Sequence, residues 1–205
     1  MLQGYAVLVP NYRLTPKESP QTFRHPRHAQ DILDCLLFIL NWQVPPVNLD
    51  TAKLYLIGHS CSAHMLASIF LDSSSLSPSP VLLQSVQAII MSEGIYDIDL
   101  LLECFPAYRD WFIEPAFGPH ESFVQFSTTR LSLRNSTIRW LIIHSKGDTL
   151  VNMAQSTAMY QRLYELYESE AASHVAFDTE LDGEHNDILH GDTYVQIIKH
   201  FILTH

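Results

Sequence analysis

Apolar residues recur along this chain in two alternating patterns. Short runs at Gly4–Pro10 (GYAVLVP), Lys53–Ile57 (KLYLI), Val86–Met91 (VQAIIM), Arg139–His144 (RWLIIH) and Val175–Leu181 (VAFDTEL) have the length and apolar density of buried strands. Between them, Asp31–Trp42 places Ile32, Leu36, Ile39 and Leu40 on one face at helical spacing. Ser62–Leu71, Ala154–Glu168 and Thr193–Ile202 read as three further helices. Pro45–Pro46 ends the first helix, since proline lacks the N–H that would continue it. The stretch Ser73–Pro80 (SSSLSPSP) reads as a surface loop. Residues 98–118 fit neither period and are rich in rings: Phe105, Tyr108, Trp111, Phe112 and Phe117. Strands alternating with helices predict an α/β domain, a mostly parallel sheet with helices on both faces. In such sheets, functional groups gather beyond the carboxyl ends of the strands.

Composition narrows the function classes. The chain has 205 residues, 47% of them hydrophobic, which suits one domain with a sizeable core. The formal net charge of -10 disfavours binding to nucleic acid or to an anionic membrane surface, both of which select basic proteins. Cys35, Cys61 and Cys104 are odd in number and far apart, so no disulfide framework is expected and a reducing compartment fits. The apolar run near Met1 has no basic segment before it. The longest helical apolar run, Ile32–Leu40, contains Asp34 and is too short to span a bilayer. These features predict a cytoplasmic protein.

Candidate chemistry begins at Leu54–Leu66, LYLIGHSCSAHML. A serine on a sharp strand-to-helix turn needs small neighbours, because strand and helix approach closely there; the usual signature is G-x-S-x-G. Gly58-His59-Ser60-Cys61-Ser62 keeps the first glycine and has Ser62 in place of the second. The next partners follow later strands: Asp148 in His144-Ser145-Lys146-Gly147-Asp148, and His185 in Leu181-Asp182-Gly183-Glu184-His185. Nucleophile, acid and base in the order Ser60, Asp148, His185 is the chain order of an α/β-hydrolase. His185 would take the Ser60 proton, and Asp148 would hold the imidazole tautomer. The Cys61 backbone N–H, following the nucleophile, would be an oxyanion donor. Asp182 and Asp187 are rival acids, too near His185 in sequence to reach its second nitrogen readily. The other histidines form neither H-E-x-x-H nor a Cys/His set at zinc spacing, so no metal is expected.

Several segments carry a family resemblance. Asn11-Tyr12-Arg13-Leu14-Thr15-Pro16 resembles the Y-R-L-x-P segment of hormone-sensitive-lipase-like α/β-hydrolases. Gly58-His59-Ser60, Ser92-Glu93-Gly94-Ile95-Tyr96-Asp97, His144-Ser145 with Asp148, and His185-Asn186-Asp187 together resemble kynurenine formamidases (arylformamidases), particularly the fungal ones. The aromatic stretch Leu101–Tyr108, leading to Ala116-Phe117, fits the same branch. The resemblance implies hydrolysis of N-formyl-L-kynurenine to L-kynurenine and formate in tryptophan catabolism. It implies a small-molecule substrate, N-formylkynurenine or a similar aryl formamide or ester, and no cofactor; a homodimer is compatible with it. The aromatic stretch would then form a pocket or lid for the aryl group.

The family also carries an H-G-G-x-W segment upstream of its Y-R-L strand, which supplies further oxyanion N–H groups. No such segment occurs in the chain. The expectation is therefore a single α/β-hydrolase domain over residues 1–205, N-terminally incomplete, lacking the first strands of the fold. Three readings follow: an arylformamidase, another small-ester or amide carboxylesterase of the same fold, or a catalytically impaired, non-enzymatic relative lacking the oxyanion segment.

Overall fold

The computed structural model describes residues 5–45 and 49–204. Gly4, at the head of the expected first strand, and Pro46 lie outside the described residues. The main elements in chain order are α1 (Arg27–Leu40), β1 (Leu54–His59), α2 (Cys61–Phe70), α3 (Pro80–Ser85), β2 (Val86–Ser92), α4 (Ile98–Cys104), α5 (Glu114–Phe117), β3 (Arg139–Ile143), α6 (Met153–Tyr167), α7 (Ala171–His174), β4 (Val175–Asp178) and α8 (Asp192–Thr204). The four strands form one parallel sheet in the order β1-β2-β3-β4.

Period-two alternation divides the strand residues between two cores. Ile89, Met91, Trp140 and Ile142 face a cluster containing Leu33 of α1, Leu66 and Phe70 of α2, and Met159 and Leu163 of α6. Ala88, Ile90, Leu141 and Ile143 face the other way, onto Tyr194, Ile198, Phe201 and Ile202 of α8. The expected helices on both faces are thus present, and β2 is apolar from Ala88 to Met91 and β3 from Trp140 to Ile143 because both of their faces are covered there.

The ladder also fixes what happens at the carboxyl edge. His59 pairs with Ser92, Ser92 with Ile143 and Ile143 with Asp178. The strands therefore end in register, and Ser60, Glu93 and His144 leave the sheet side by side.

The short helices α3 and α7 are additions to the sequence-based expectation, and three expected features differ from it. Tyr5–Val9 is not a strand. Its residues join no ladder; Val7 and Val9 are 65% and 86% exposed. The Tyr5 ring meets Tyr55 edge-on at 6.1 Å, so the segment lies near β1 without pairing to it. Apolar, β-branched composition makes a strand only where a partner backbone takes up its N–H and C=O groups. What anchors this end of the chain lies further on: Arg13 grips Asp31 of α1 through its backbone N–H at 3.0 Å and its guanidinium Nε at 2.9 Å. The last strand ends at Asp178 instead of Leu181, because the Asp178 carboxylate accepts the Glu180 N–H at 3.0 Å and turns the chain. Residues 98–118, expected to be irregular, form α4, a π-helical turn at Arg109–Ile113, and α5. They build a third core around Ile95, Ile98, Leu101, Ile113, Phe123 and Val151. No helix among the described residues is long and apolar enough to cross a membrane.

This division predicts a large response at Ile90 and almost none at Val9. Ile90→Ala, in a fully buried central strand, is expected to cost about 2–5 kcal/mol through lost transfer energy and the cavity left behind. Val9→Asp is expected to change stability by no more than about 0.5 kcal/mol. Urea unfolding of both variants checks this; a large loss for Val9→Asp would restore the strand.

Candidate active site

Ser60 occupies the one-residue turn between β1 and α2 at φ 55, ψ -121. This backbone region is disfavoured for residues other than glycine, at about 1–3 kcal/mol. Its neighbours hold it there. The Ser60 N–H donates to the Ser92 carbonyl at 2.8 Å, and the Ser60 carbonyl accepts the Ala63 N–H at 3.1 Å. Gly58 explains the need for a small residue before the turn: a Cβ there would lie 2.8 Å from the Ser62 oxygen and 2.9 Å from both the Ala63 nitrogen and the Leu66 side chain. Ser62, where the signature has its second glycine, lies within α2 in ordinary helical backbone, so glycine's freedom is not required at that position. Cys61 is the first residue of α2, and its N–H is one that the helix itself leaves without an acceptor. Its side chain meets the Tyr12 hydroxyl at 3.4 Å, which places the Asn11–Pro16 segment beside the turn.

The other two candidates meet directly. His185 Nδ1 donates to Asp148 Oδ2 at 2.7 Å, with the His185 side chain 7% exposed and that of Asp148 fully buried. The second Asp148 oxygen accepts the backbone N–H groups of Leu150 at 2.8 Å and Val151 at 3.0 Å. Burial alone would raise the Asp148 pKa, but hydrogen bonds from His185 and contact with Glu93, together with those two N–H groups, hold it below the usual carboxylate range. The rival Asp182 contributes backbone instead: its carbonyl oxygen would be 2.2 Å from a Cβ at Gly147, so the loops after β3 and β4 touch through a glycine. The His185 ring packs against His59 at 4.7 Å between centroids, at 50°. His59 in turn is tied through Ser92 Oγ at 3.0 Å to the Tyr194 hydroxyl, a further 3.0 Å away. Burial and the nearby His185 lower the His59 pKa to about 4, so it packs as a neutral ring. Ser60, His59 and His185 are thus neighbours along the same edge.

Sequence reasoning assigned no role to Glu93, His144 or Gln155. Glu93 follows β2 at φ 50 with its side chain fully buried, and accepts the Ser145 N–H at 2.8 Å. His144 is bound on both ring nitrogens, to the Ser156 hydroxyl at 2.8 Å and the Val151 carbonyl at 3.1 Å. Gln155 of α6 is fully buried; its Oε1 accepts the N–H groups of Tyr96 and Asp97 at 2.8 and 2.9 Å. The available signal was positional: Glu93 and His144 each stand one residue past a strand end. Glu93, His144 and Asp148 bring ligand-type atoms within 4.8 Å of one another. The donors of His144 and Asp148 are already committed to hydrogen bonds, so the cluster reads as a hydrogen-bonded support and does not suit a metal.

The aromatic stretch roofs this edge. The Tyr108 hydroxyl donates to the Leu150 carbonyl at 3.1 Å, and Asn152 Nδ2 reaches Cys104 Sγ at 2.8 Å, both just beyond Asp148. On the nucleophile side, Phe117 meets His64 of α2 at 5.6 Å. Trp111, edge-on to Tyr108 at 5.3 Å, is 67% exposed. A separate groove of about 420 Å³ between β4 and α8 shares no residue with Ser60, Asp148 or His185.

The chain matches the BD-FAE family model over residues 1–163. It is 26% identical over 205 aligned positions to the kynurenine formamidase of Scheffersomyces stipitis, covering 87% of this chain and 69% of that protein. It is 27% identical to that of Eremothecium gossypii (82% and 73% covered) and 25% identical to that of Meyerozyma guilliermondii (73% and 55%). The chain thus spans between about half and three quarters of those relatives' length. Among solved structures, an inhibited esterase B from Lactobacillus rhamnosis superposes with a TM-score of 0.66 at 16% identity, covering 94% of this chain and 63% of that one. A truncated carbohydrate esterase from gut microbiota gives 0.63 at 16%, covering 93% and 70%. The fold is that of the α/β-hydrolases.

The Asp148 environment makes a pH-dependent prediction. Its folded-state pKa is depressed below the unfolded value. The ionised group therefore adds stability that is complete above about pH 4 and is lost as pH falls through the folded value. Asp148→Asn is expected to lower the melting temperature by about 2–8 °C near neutral pH. Its deficit relative to the parent should shrink on acidification below about pH 4. A deficit that does not vary with pH in thermal melts would mean the charge contributes nothing.

Proposed function

We propose that this chain, which belongs to the BD-FAE family and has an α/β-hydrolase fold, is a serine hydrolase of the kynurenine formamidase kind, cleaving N-formyl-L-kynurenine to L-kynurenine and formate. The observation that carries the reading is the 2.7 Å contact of His185 with Asp148, at the same sheet edge as the strained Ser60 turn. Similarity to curated kynurenine formamidases along most of the chain supports the substrate class.

The chemistry follows from those groups. Serine hydroxyl is a weak nucleophile near neutral pH, so His185 Nε2 takes the Ser60 proton as Oγ attacks the formyl carbon. Asp148 keeps Nδ1 protonated and stabilises the imidazolium that forms. The developing oxyanion is met by the Cys61 N–H at the positive end of α2. Collapse of the tetrahedral intermediate breaks the C–N bond, and His185 protonates the departing aniline nitrogen. The remaining formyl ester on Ser60 is hydrolysed by water that gives its proton to the same histidine, releasing formate. The ring-lined roof of Tyr108, Trp111 and Phe117 supplies apolar surface for the aryl group.

Ser60→Ala is expected to reduce turnover by at least about 1,000-fold while leaving the fold intact, since it removes one oxygen from a half-buried turn. Parent-rate hydrolysis by this variant, or failure of Ser60 to react with a fluorophosphonate, would rule the reading out. A rate higher on a simple aryl ester than on N-formylkynurenine would keep the serine hydrolase and replace the substrate.

His185→Ala is expected to match the Ser60→Ala loss, and the double variant to cost little more, because residues acting as one unit are non-additive. Asp148→Asn should cost less than either, and Asp182→Asn little. Steady-state kinetics on the five proteins decide this; equal losses for the two aspartates would shift the acid from Asp148 to Asp182.

A further inference from the structure

The mechanism above leaves one buried acid unused. Glu93 is fully shielded from solvent at the end of β2. Its Oε1 accepts the Ser145 N–H at 2.8 Å. Its Oε2 has no hydrogen bond of ordinary geometry. That oxygen lies 3.3 Å from His144 Nδ1, which the Ser156 hydroxyl already occupies, and Asp148 is beside them.

Each titratable group facing Glu93 bears on its charge. Asp148 is an anion. His144 is kept neutral, its pKa lowered first by burial. Tyr96 below and Tyr194 of α8 are buried phenols whose pKa values are raised, again first by burial. None of these groups offers a positive charge. An ionised Glu93 would be a second buried anion against Asp148 without a cation to offset it, an arrangement proteins avoid by keeping one proton on the pair. Glu93 has a positive φ of 50, a backbone strain of the kind that accompanies a positioned side chain, and its carboxyl meets the Ser145 N–H and the His144 ring.

We propose that Glu93 is a positioning residue of this site: its carboxyl stays un-ionised and turns its proton toward Asp148, so that the two acids carry one negative charge and that charge stays directed at His185. This deepens the serine-hydrolase reading and rests on it. A proton facing Asp148 makes that carboxylate a weaker base, so it orients the His185 imidazolium without taking its proton. Glu93 also ties the Ser145 backbone, and with it the loop that carries Asp148, to the end of β2. Burial, followed by the nearness of Asp148, pushes the Glu93 pKa up to about 9. Ionisation in that range would place two anions together and drive Asp148 from its place, so activity should fall on the alkaline side.

The test compares the full chain with Glu93→Gln and Glu93→Ala. Gln keeps the acceptor for Ser145 and an N–H donor toward Asp148, but cannot ionise. The expected result is an alkaline fall in kcat near pH 9 in the parent that is missing in Glu93→Gln. Glu93→Ala should lose about 100-fold in kcat with little change in KM, and Glu93→Gln should recover most of that loss. A residue that only fills space would lower the folded fraction without changing the shape of the pH profile. An independent readout is the difference infrared spectrum, parent minus Glu93→Gln, near neutral pH. A carbonyl band of an un-ionised carboxylic acid supports the inference, and a carboxylate band overturns it. An alkaline limb unchanged in Glu93→Gln overturns it as well. Fluorophosphonate labelling of Ser60 separates the two ideas: an unlabelled parent sinks the hydrolase reading, whereas a labelled parent with an ionised Glu93 sinks this inference alone.

Discussion

The loops after β3 and β4 touch at Gly147, where even a methyl group would lie 2.2 Å from the Asp182 carbonyl oxygen. The rest of the site depends on that contact. It lets Asp148, on one loop, reach His185, on the other, at 2.7 Å, although the two are separated by the whole of α6, α7 and β4. The contact is reinforced from both sides. Ser145 Oγ bonds the Gly183 carbonyl at 2.5 Å, and the Lys146 N–H bonds that of Leu181 at 2.9 Å. Backbone held in this way needs no adjustment when charge develops on the imidazole, which is what preorganisation requires. A similar close approach operates at Gly58, where strand and helix come too near for a side chain and leave Ser60 on a strained turn.

The electrostatics follow from the same crowding. Parallel strands ending in register deliver Ser60, Glu93 and His144 to one edge, and the Gly147 contact adds Asp148 and His185. A buried region with two carboxyls, the neutral imidazoles of His59 and His144, and no lysine or arginine in its described ion pairs can hold one negative charge comfortably. Asp148 holds it, because the Leu150 and Val151 N–H groups and His185 converge on that carboxylate. Glu93, with one N–H donor and one unpartnered oxygen, is the natural carrier of the proton. Hydrogen-bond supply, more than depth of burial, divides the roles of the two acids.

Much of this was legible in the sequence. Strand and helix periodicity placed β1 to β4 and the long helices to within a few residues, because each element buries one or two whole faces and its pattern is local. Ser60, Asp148 and His185 were legible as candidates because each follows a strand and sits beside small or glycine residues, which are backbone requirements written into the chain. Tyr5–Val9 has a strand's composition without being one, because a strand needs two segments of paired backbone and composition describes only one of them. Residues 98–118 show no single period in sequence because their rings pack against Phe123 and Val151, far along the chain. Glu93 is visible in the sequence only by its position just past a buried strand, which does not say whether its carboxyl is solvated or buried. What made it a candidate was the sheet register that set it beside Asp148, since the protonation of a carboxyl depends on the charges and hydrogen bonds around it, and only the tertiary fold brings those within reach.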